Sequence, residues 1–183
     1  RQMCIRDRLE NNGILPLKKE TKIYIDGLDK NIGKDFGNVV NDPSKADVII
    51  MYIHTVFNGN QESGLNRIFD NFLSTFFPNG DLEFNEEIKN KIKKYSKHKE
   101  LIVVVDLNRP AILETIKESS SGVIATFGVL DQIIFEGIYG KFNPSGKLPF
   151  EIPSSMEAVY NQKEDLPDDS LNPTYEFGYG ISY

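Results

Sequence analysis

Three short apolar runs decide the fold class: residues 46–53 (ADVIIMYI), 101–105 (LIVVV) and 123–127 (VIATF). Each run has the length of a strand and lacks the alternation of a strand with one face in water. Continuous apolar runs of this kind are typical of strands that are buried on both faces in a parallel sheet. A further strand is predicted at residues 22–25 (KIYI), which an Asp-Gly turn ends.

Helical patterns fill the intervals between these strands. Residues 85–97 carry apolar side chains at i, i+4 and i+7, with glutamates early and lysines late, as the helix dipole favours. Residues 111–119, with Pro110 at the first turn, and residues 131–139, ended by Gly140, are predicted as two more helices. The alternation predicts an α/β fold, a three-layer αβα sandwich with a mostly parallel sheet. Ligands of such sheets bind outside the carboxyl ends of the strands.

The composition argues against nucleic-acid binding, membrane insertion and a metal site. The 183 residues hold 21 Lys and Arg against 27 Asp and Glu, a net charge of −6, which argues against nucleic acid as a partner. The apolar runs are far shorter than the ~20 residues of a membrane span, so we expect no membrane insertion. One cysteine and two histidines are too few for a Cys- or His-based metal site. We therefore expect no metal.

The two ends of the chain differ from its middle. Residues 1–8 (RQMCIRDR) show neither a helical nor a strand period and no apolar segment of a signal peptide. They resemble a translated sequencing adapter, and we expect a non-native tail before a domain that spans residues 9–183. An ordinary frayed terminus is the alternative. The Pro- and acid-rich residues 151–183 are expected to pack over the surface of the domain. The sequence does not predict a cellular location.

Candidate site residues follow the strand ends. Glu62 and Arg67 lie in the polar, glycine-bearing segment after residue 53, and a carboxylate beside an apolar strand end can serve as a general acid. A solvated loop acid and a surface ion pair are the alternatives. His54, at the end of its strand, could also be an ordinary half-buried polar residue. Asp106 either lines a crevice or, with Asn108 near the N-cap, stabilises the start of the next helix.

Nucleotide and serine-hydrolase chemistry find no support. The chain has no G-x-G-x-x-G or G-x-x-x-x-G-K-[ST] phosphate loop and no G-x-S-x-G motif. The turn after the first predicted strand is acidic and would repel phosphate, which disfavours a flavodoxin-like nucleotide binder.

Sequence motifs in the second half carry a family resemblance. Residues 140–150 (GKFNPSGKLPF) are followed, in order, by residues 177–183 (FGYGISY). This pair resembles the end of the C-terminal α/β sandwich domain of glycoside hydrolase family 3. Upstream, residues 12–17 (NGILPL) resemble the entry to that domain, and residues 103–110 (VVVDLNRP) resemble its strand before an Arg-Pro turn. The resemblance covers the chain from about residue 11 to residue 183.

The resemblance implies a retaining, exo-acting β-glycosidase, β-glucosidase-like, that uses two carboxylates. In the family the nucleophile is an aspartate on an N-terminal (β/α)8 barrel, so the partners implied are that barrel of the same full-length chain and an oligosaccharide or β-glycoside. Residues 61–67 (QESGLNR) resemble the segment that carries the acid/base glutamate, which implies Glu62 in that role. Arg67, His54 and Asp106 would lie beside the substrate. No cofactor is implied.

A second interpretation stays open. The domain could be a non-catalytic buttress or sugar-binding module of a family 3 β-N-acetylglucosaminidase or β-xylosidase-like enzyme, with the acid/base supplied from elsewhere. The sequence does not predict which sugar is cleaved. On either interpretation the chain alone is expected to be inactive.

Overall fold

A central six-stranded sheet organises the molecule. The computed structural model describes residues 6–55, 82–163, 165–166 and 168–182. The strands are β1 (Arg6–Asn11), β2 (Lys22–Asp26), β3 (Asn38–Val39), β4 (Val48–His54), β5 (Glu100–Asp106) and β6 (Gly122–Thr126). Their order is β1-β6-β5-β4-β2-β3. All neighbours pair in parallel except β1, which runs antiparallel to β6.

Helices cover both faces of the sheet. They are α1 (Lys30–Phe36), α2 (Glu86–Ser96), α3 (Glu114–Ser119), α4 (Asp131–Ile138) and α5 (Met156–Tyr160), with one 3-10 turn at Pro43–Lys45. Helices α1 and α4 pack together, as do α2 and α3. The predicted α/β sandwich with a mostly parallel sheet is confirmed. None of the helices in the described ranges is both long and apolar enough to cross a bilayer.

The core has two parts, one on each side of the sheet. Strand β5 shows the division, because Val103 and Val105 belong to the part under α2 and α3 while Ile102 and Val104 belong to the part under α1 and α4. This alternation follows from the two-residue period of a strand. It explains why the central strands read as unbroken apolar runs, since both sets of side chains are buried.

Helix α3 begins later than expected. The prediction of a helix over residues 111–119 with Pro110 in its first turn is wrong, because α3 starts at Glu114 after Leu113, which provides no side-chain cap. A long-range contact explains the difference, since the backbone N–H of Ile112 donates to the carbonyl oxygen of Leu82 at 3.0 Å. Asn108 is therefore not an N-cap. By contrast, α2 (Glu86–Ser96) agrees with the predicted helix over residues 85–97 to within one residue at each end.

The first strand begins within the segment that we expected to be a non-native tail. We expected residues 1–8 to stand outside the fold, yet Arg6, Asp7 and Arg8 lie in β1. An edge strand needs a partner for its backbone groups, and β1 supplies one to β6. Arg8 is buried, and its carbonyl oxygen accepts from the N–H of Ile181 at 2.9 Å. The origin of residues 1–8 and a domain start at residue 9 stay predictions.

The C-terminal residues pack across this part of the domain, as expected. Ile152 and Tyr175 form an antiparallel bridge, and the Tyr175 hydroxyl donates to Glu10 Oε1 at 3.1 Å. Tyr175 is 2% exposed, whereas Phe177 is 61% exposed. The aromatic side chains of the tail are therefore not all buried, since Phe177 is open to solvent. Tyr183 lies outside the described residues.

Candidate active site

Polar residues end three neighbouring parallel strands at one edge of the sheet. His54 closes β4, Asp106 closes β5 and Thr126 closes β6. The register pairs His54 with Asp106 and Asp106 with Thr126. Because the strands are parallel, all three side chains belong to the carboxyl-end edge, where α/β sheets bind ligands.

Asp106 is the centre of this group. Its side chain is 6% exposed. Its Oδ1 accepts from the backbone N–H of Gly128 at 2.8 Å and from the Thr126 hydroxyl at 3.2 Å. Its Oδ2 lies 3.3 Å from His54 Nδ1 and 3.5 Å from the amide nitrogen of Asn108. A buried carboxylate with donors on both oxygens is held rigidly, because each lost bond would leave a desolvated charge.

His54, unlike Asp106, is largely exposed to solvent. Its side chain is 63% exposed, although Nδ1 contacts the buried carboxylate of Asp106. The imidazole also meets the ring of Tyr52 edge to face, with centroids 4.7 Å apart. One side of the ring is thus fixed by protein and the remainder is open to a ligand.

Tyr52 completes the polar edge as a neutral group. Burial, followed by the negative charges of Asp106 and Asp131, raises the pKa of Tyr52 to about 12. The phenol therefore keeps its proton at neutral pH. Tyr52, Thr126 and Gly128 were not among the predicted site residues, and the only local signal was the position of Thr126 at the end of an apolar run.

The exit of β4 is fastened to β5. Both the backbone N–H and the hydroxyl of Thr55 donate to the carbonyl oxygen of Asp106, at 3.1 and 3.3 Å. The structure thus brings together His54 and Asp106, two of the four predicted site residues. The other two, Glu62 and Arg67, lie outside the described residues, and their assignments stay predictions.

A second polar cluster at the end of β2 ties that strand to α2. Asp26 Oδ2 accepts from the Tyr95 hydroxyl at 3.0 Å and lies 2.7 Å from Lys91 Nζ. Burial and then Asp26 raise the pKa of Tyr95. With its carboxylate already paired, Asp26 is a structural residue rather than a free acid.

A groove of about 440 Å³ lies between the loop that follows β5 and the C-terminal part of the chain. Its lining includes Pro110, Phe150 and Gln162, and Phe150 packs edge-on against Phe127, the residue after β6. The part of the chain that the structure describes contains no group of three His, Cys, Asp or Glu side chains arranged to hold a metal ion.

Comparison with known proteins gives one consistent family. The family described as "Glycosyl hydrolase family 3 C-terminal domain" matches residues 24–183. A periplasmic β-glucosidase/β-xylosidase of Dickeya chrysanthemi is 34% identical over 96% of this chain, and β-glucosidase C of Emericella nidulans is 33% identical over 94%. The chain spans only 26% and 27% of the length of these two relatives.

Solved structures agree on the fold. The β-glucosidase 3B of Thermotoga neapolitana in complex with glycerol matches 97% of this chain with a TM-score of 0.71 and 17% identity. A Listeria innocua β-glucosidase in complex with isofagomine matches the same share with a TM-score of 0.71 and 19% identity. This chain covers 36% and 32% of those two structures.

Proposed function

The chain belongs to the glycosyl hydrolase family 3 C-terminal domain family, and from this premise we propose that it forms one side of the active site of a retaining, exo-acting β-glycosidase. A (β/α)8 barrel of the same full-length protein supplies the nucleophilic aspartate. Two facts support the proposal: the relatives are named β-glucosidases or β-xylosidases, and they are about four times as long as this chain. Hexoside and pentoside substrates are both compatible with those names.

Glu62 is the acid/base in this proposal. In the first step it protonates the glycosidic oxygen while the barrel aspartate attacks the anomeric carbon, and in the second it accepts a proton from water. The resemblance of residues 61–67 carries the assignment, and the hydrogen bonds of Thr55 to Asp106 support it, because they hold the chain at the carboxyl-end edge seven residues before Glu62. Seven residues span at most ~25 Å, so this attachment point is compatible with a Glu62 side chain that serves a substrate at that edge.

The remaining residues have supporting roles. Arg67 would carry a positive charge near the substrate, and His54 and Asp106 would form the wall of the pocket at the ends of β4 and β5. Glu62 must be protonated for the first step, so its pKa has to rise when the barrel and the sugar exclude water from it.

Substitution of Glu62 in the full-length protein tests the assignment. With Glu62→Gln, kcat on an unactivated disaccharide should fall by ~10²–10⁴-fold, because the leaving group needs a proton. The rate of the first chemical step with 2,4-dinitrophenyl glycosides should fall far less, because that leaving group departs without being protonated. Glu87→Gln, at an exposed position on α2, is the matched control and should keep full activity.

Equal, near-wild-type turnover of both substrates by Glu62→Gln would overturn the assignment. That result would favour the second candidate function, in which the domain buttresses the barrel and the acid/base lies elsewhere.

A further inference from the structure

The hydrogen bonds of Asp106 connect three strands at one point. Its side chain binds the end of β6 through Thr126 and Gly128 and the end of β4 through His54. Its backbone carbonyl binds Thr55. The carboxylate therefore has one position available to it, and the imidazole that meets it is oriented by a rigid group.

This contact determines the protonation pattern of His54. An ionised carboxylate only accepts hydrogen bonds, so the nitrogen that faces it has to carry the proton. The neutral imidazole then has its proton on Nδ1 and a lone pair on Nε2. Among the described residues Nε2 has no hydrogen-bond partner, and most of the side chain is exposed.

The surroundings select the ligand chemistry. Among the described residues, the carboxylates of Asp106 and Asp131 act electrostatically on Tyr52, the neutral phenol whose ring meets that of His54. A neutral acceptor nitrogen on a ring that contacts a carboxylate favours a neutral donor and disfavours an anion. The hydroxyl groups of a sugar are donors of this kind.

We propose that Asp106 is a positioning residue that fixes His54 as the Nδ1–H tautomer, and that His54 Nε2 accepts a hydrogen bond from a hydroxyl of the bound glycoside. The first half of this proposal concerns the chain itself. The second half rests on the proposed function, since it requires a glycoside at the carboxyl-end edge.

Nitrogen-15 NMR of the 183-residue chain tests the first half. Two-bond ¹H–¹⁵N spectra of neutral imidazoles distinguish the tautomers, and His98 serves as an internal reference that the substitution should not move. Wild-type His54 should show the Nδ1–H tautomer. In Asp106→Asn the amide can turn its N–H towards Nδ1, which should shift His54 to the Nε2–H tautomer. A wild-type His54 with its proton on Nε2 overturns the proposal without any variant being needed.

Steady-state kinetics of the full-length protein test the second half. One neutral hydrogen bond to substrate corresponds to a ~2–12-fold change in affinity. Asp106→Asn and His54→Ala should therefore each raise KM by ~2–12-fold with kcat nearly unchanged, and the double variant should resemble His54→Ala, because Asp106 acts through His54. Unchanged KM in His54→Ala refutes the substrate contact. A full-length protein with no glycosidase activity would refute the proposed function and leave the tautomer result standing.

Discussion

Replacing Gly33 by alanine provides a sharp test of the packing that holds β2 in place. Gly33 lies in the middle of α1, where alanine is favoured over glycine by about 1 kcal/mol. A Cβ at this position would, however, overlap the Cδ1 of Ile25 and lie 3.2 Å from Cζ of Phe135. Both neighbours are buried, so neither can turn into solvent.

We expect the steric overlap to outweigh the gain in helix propensity. Overpacking of a core costs ~1–3 kcal/mol, against the gain of about 1 kcal/mol in helix propensity. Gly33→Ala should therefore lower the free energy of unfolding by about 1 kcal/mol, or Tm by ~2–4 °C in a chain of this size. Urea unfolding followed by circular dichroism measures the first quantity and calorimetry the second.

Two further variants isolate the cause. Asp35→Ala, at an exposed position of the same helix, adds helix propensity without a clash and should be neutral or slightly stabilising. Ile25→Val removes the overlapping methyl group, so the double variant Gly33→Ala/Ile25→Val should be more stable than the sum of the single effects by ~0.5 kcal/mol or more. A stabilised Gly33→Ala, or strict additivity in this cycle, would refute the packing described for α1 and β2.

Three other outcomes are expected. Tyr175→Phe should lower the free energy of unfolding by about 1 kcal/mol in urea titrations, because it removes the hydrogen bond to Glu10 that joins the tail to β1. The control Tyr160→Phe, at an exposed position, should leave the free energy of unfolding unchanged. Equal effects of the two variants would contradict the packing of the tail against β1. Burial raises the pKa of Tyr139 to about 12, so the stability that its neutral phenol contributes is present below pH ~10 and is lost as the pH rises towards 12. In Tyr139→Phe, thermal scans across that range should show a smaller fall of Tm with pH. An unchanged fall of Tm would contradict this expectation. The purified 183-residue chain should release no p-nitrophenol from aryl β-glucosides, whereas measurable turnover would show that the chain needs no barrel.

The sequence was sufficient for elements whose signal is local or whose burial is complete. The LIVVV run predicted β5 because residues on both of its faces are buried, and the apolar spacing of residues 85–97 predicted α2 to within one residue at each end. The start of α3 and the strand β1 were not predictable in this way. The first depends on a hydrogen bond from Ile112 to Leu82, and the second on pairing with β6, more than 100 residues away.

The same distinction between local signals and long-range contacts applies to the candidate site. Parallel strands predicted that His54 and Asp106 would share an edge, and the structure adds that they contact each other and that Thr126 and Gly128 anchor the carboxylate. No local sequence pattern predicts these hydrogen bonds, because they depend on which strands are neighbours in the sheet. Glu62 and Arg67 rest on sequence resemblance and stay predictions.

Azide rescue of the full-length Glu62→Gln variant tests the central claim most directly. If Glu62 is the acid/base, azide needs no deprotonation, attacks the anomeric carbon of the glycosyl-enzyme and displaces the barrel aspartate. Turnover of a 2,4-dinitrophenyl β-glycoside should then rise with azide concentration, and proton NMR should identify the product as the β-glycosyl azide. A variant that hydrolyses this substrate at the wild-type rate, with no glycosyl azide formed, would contradict the account.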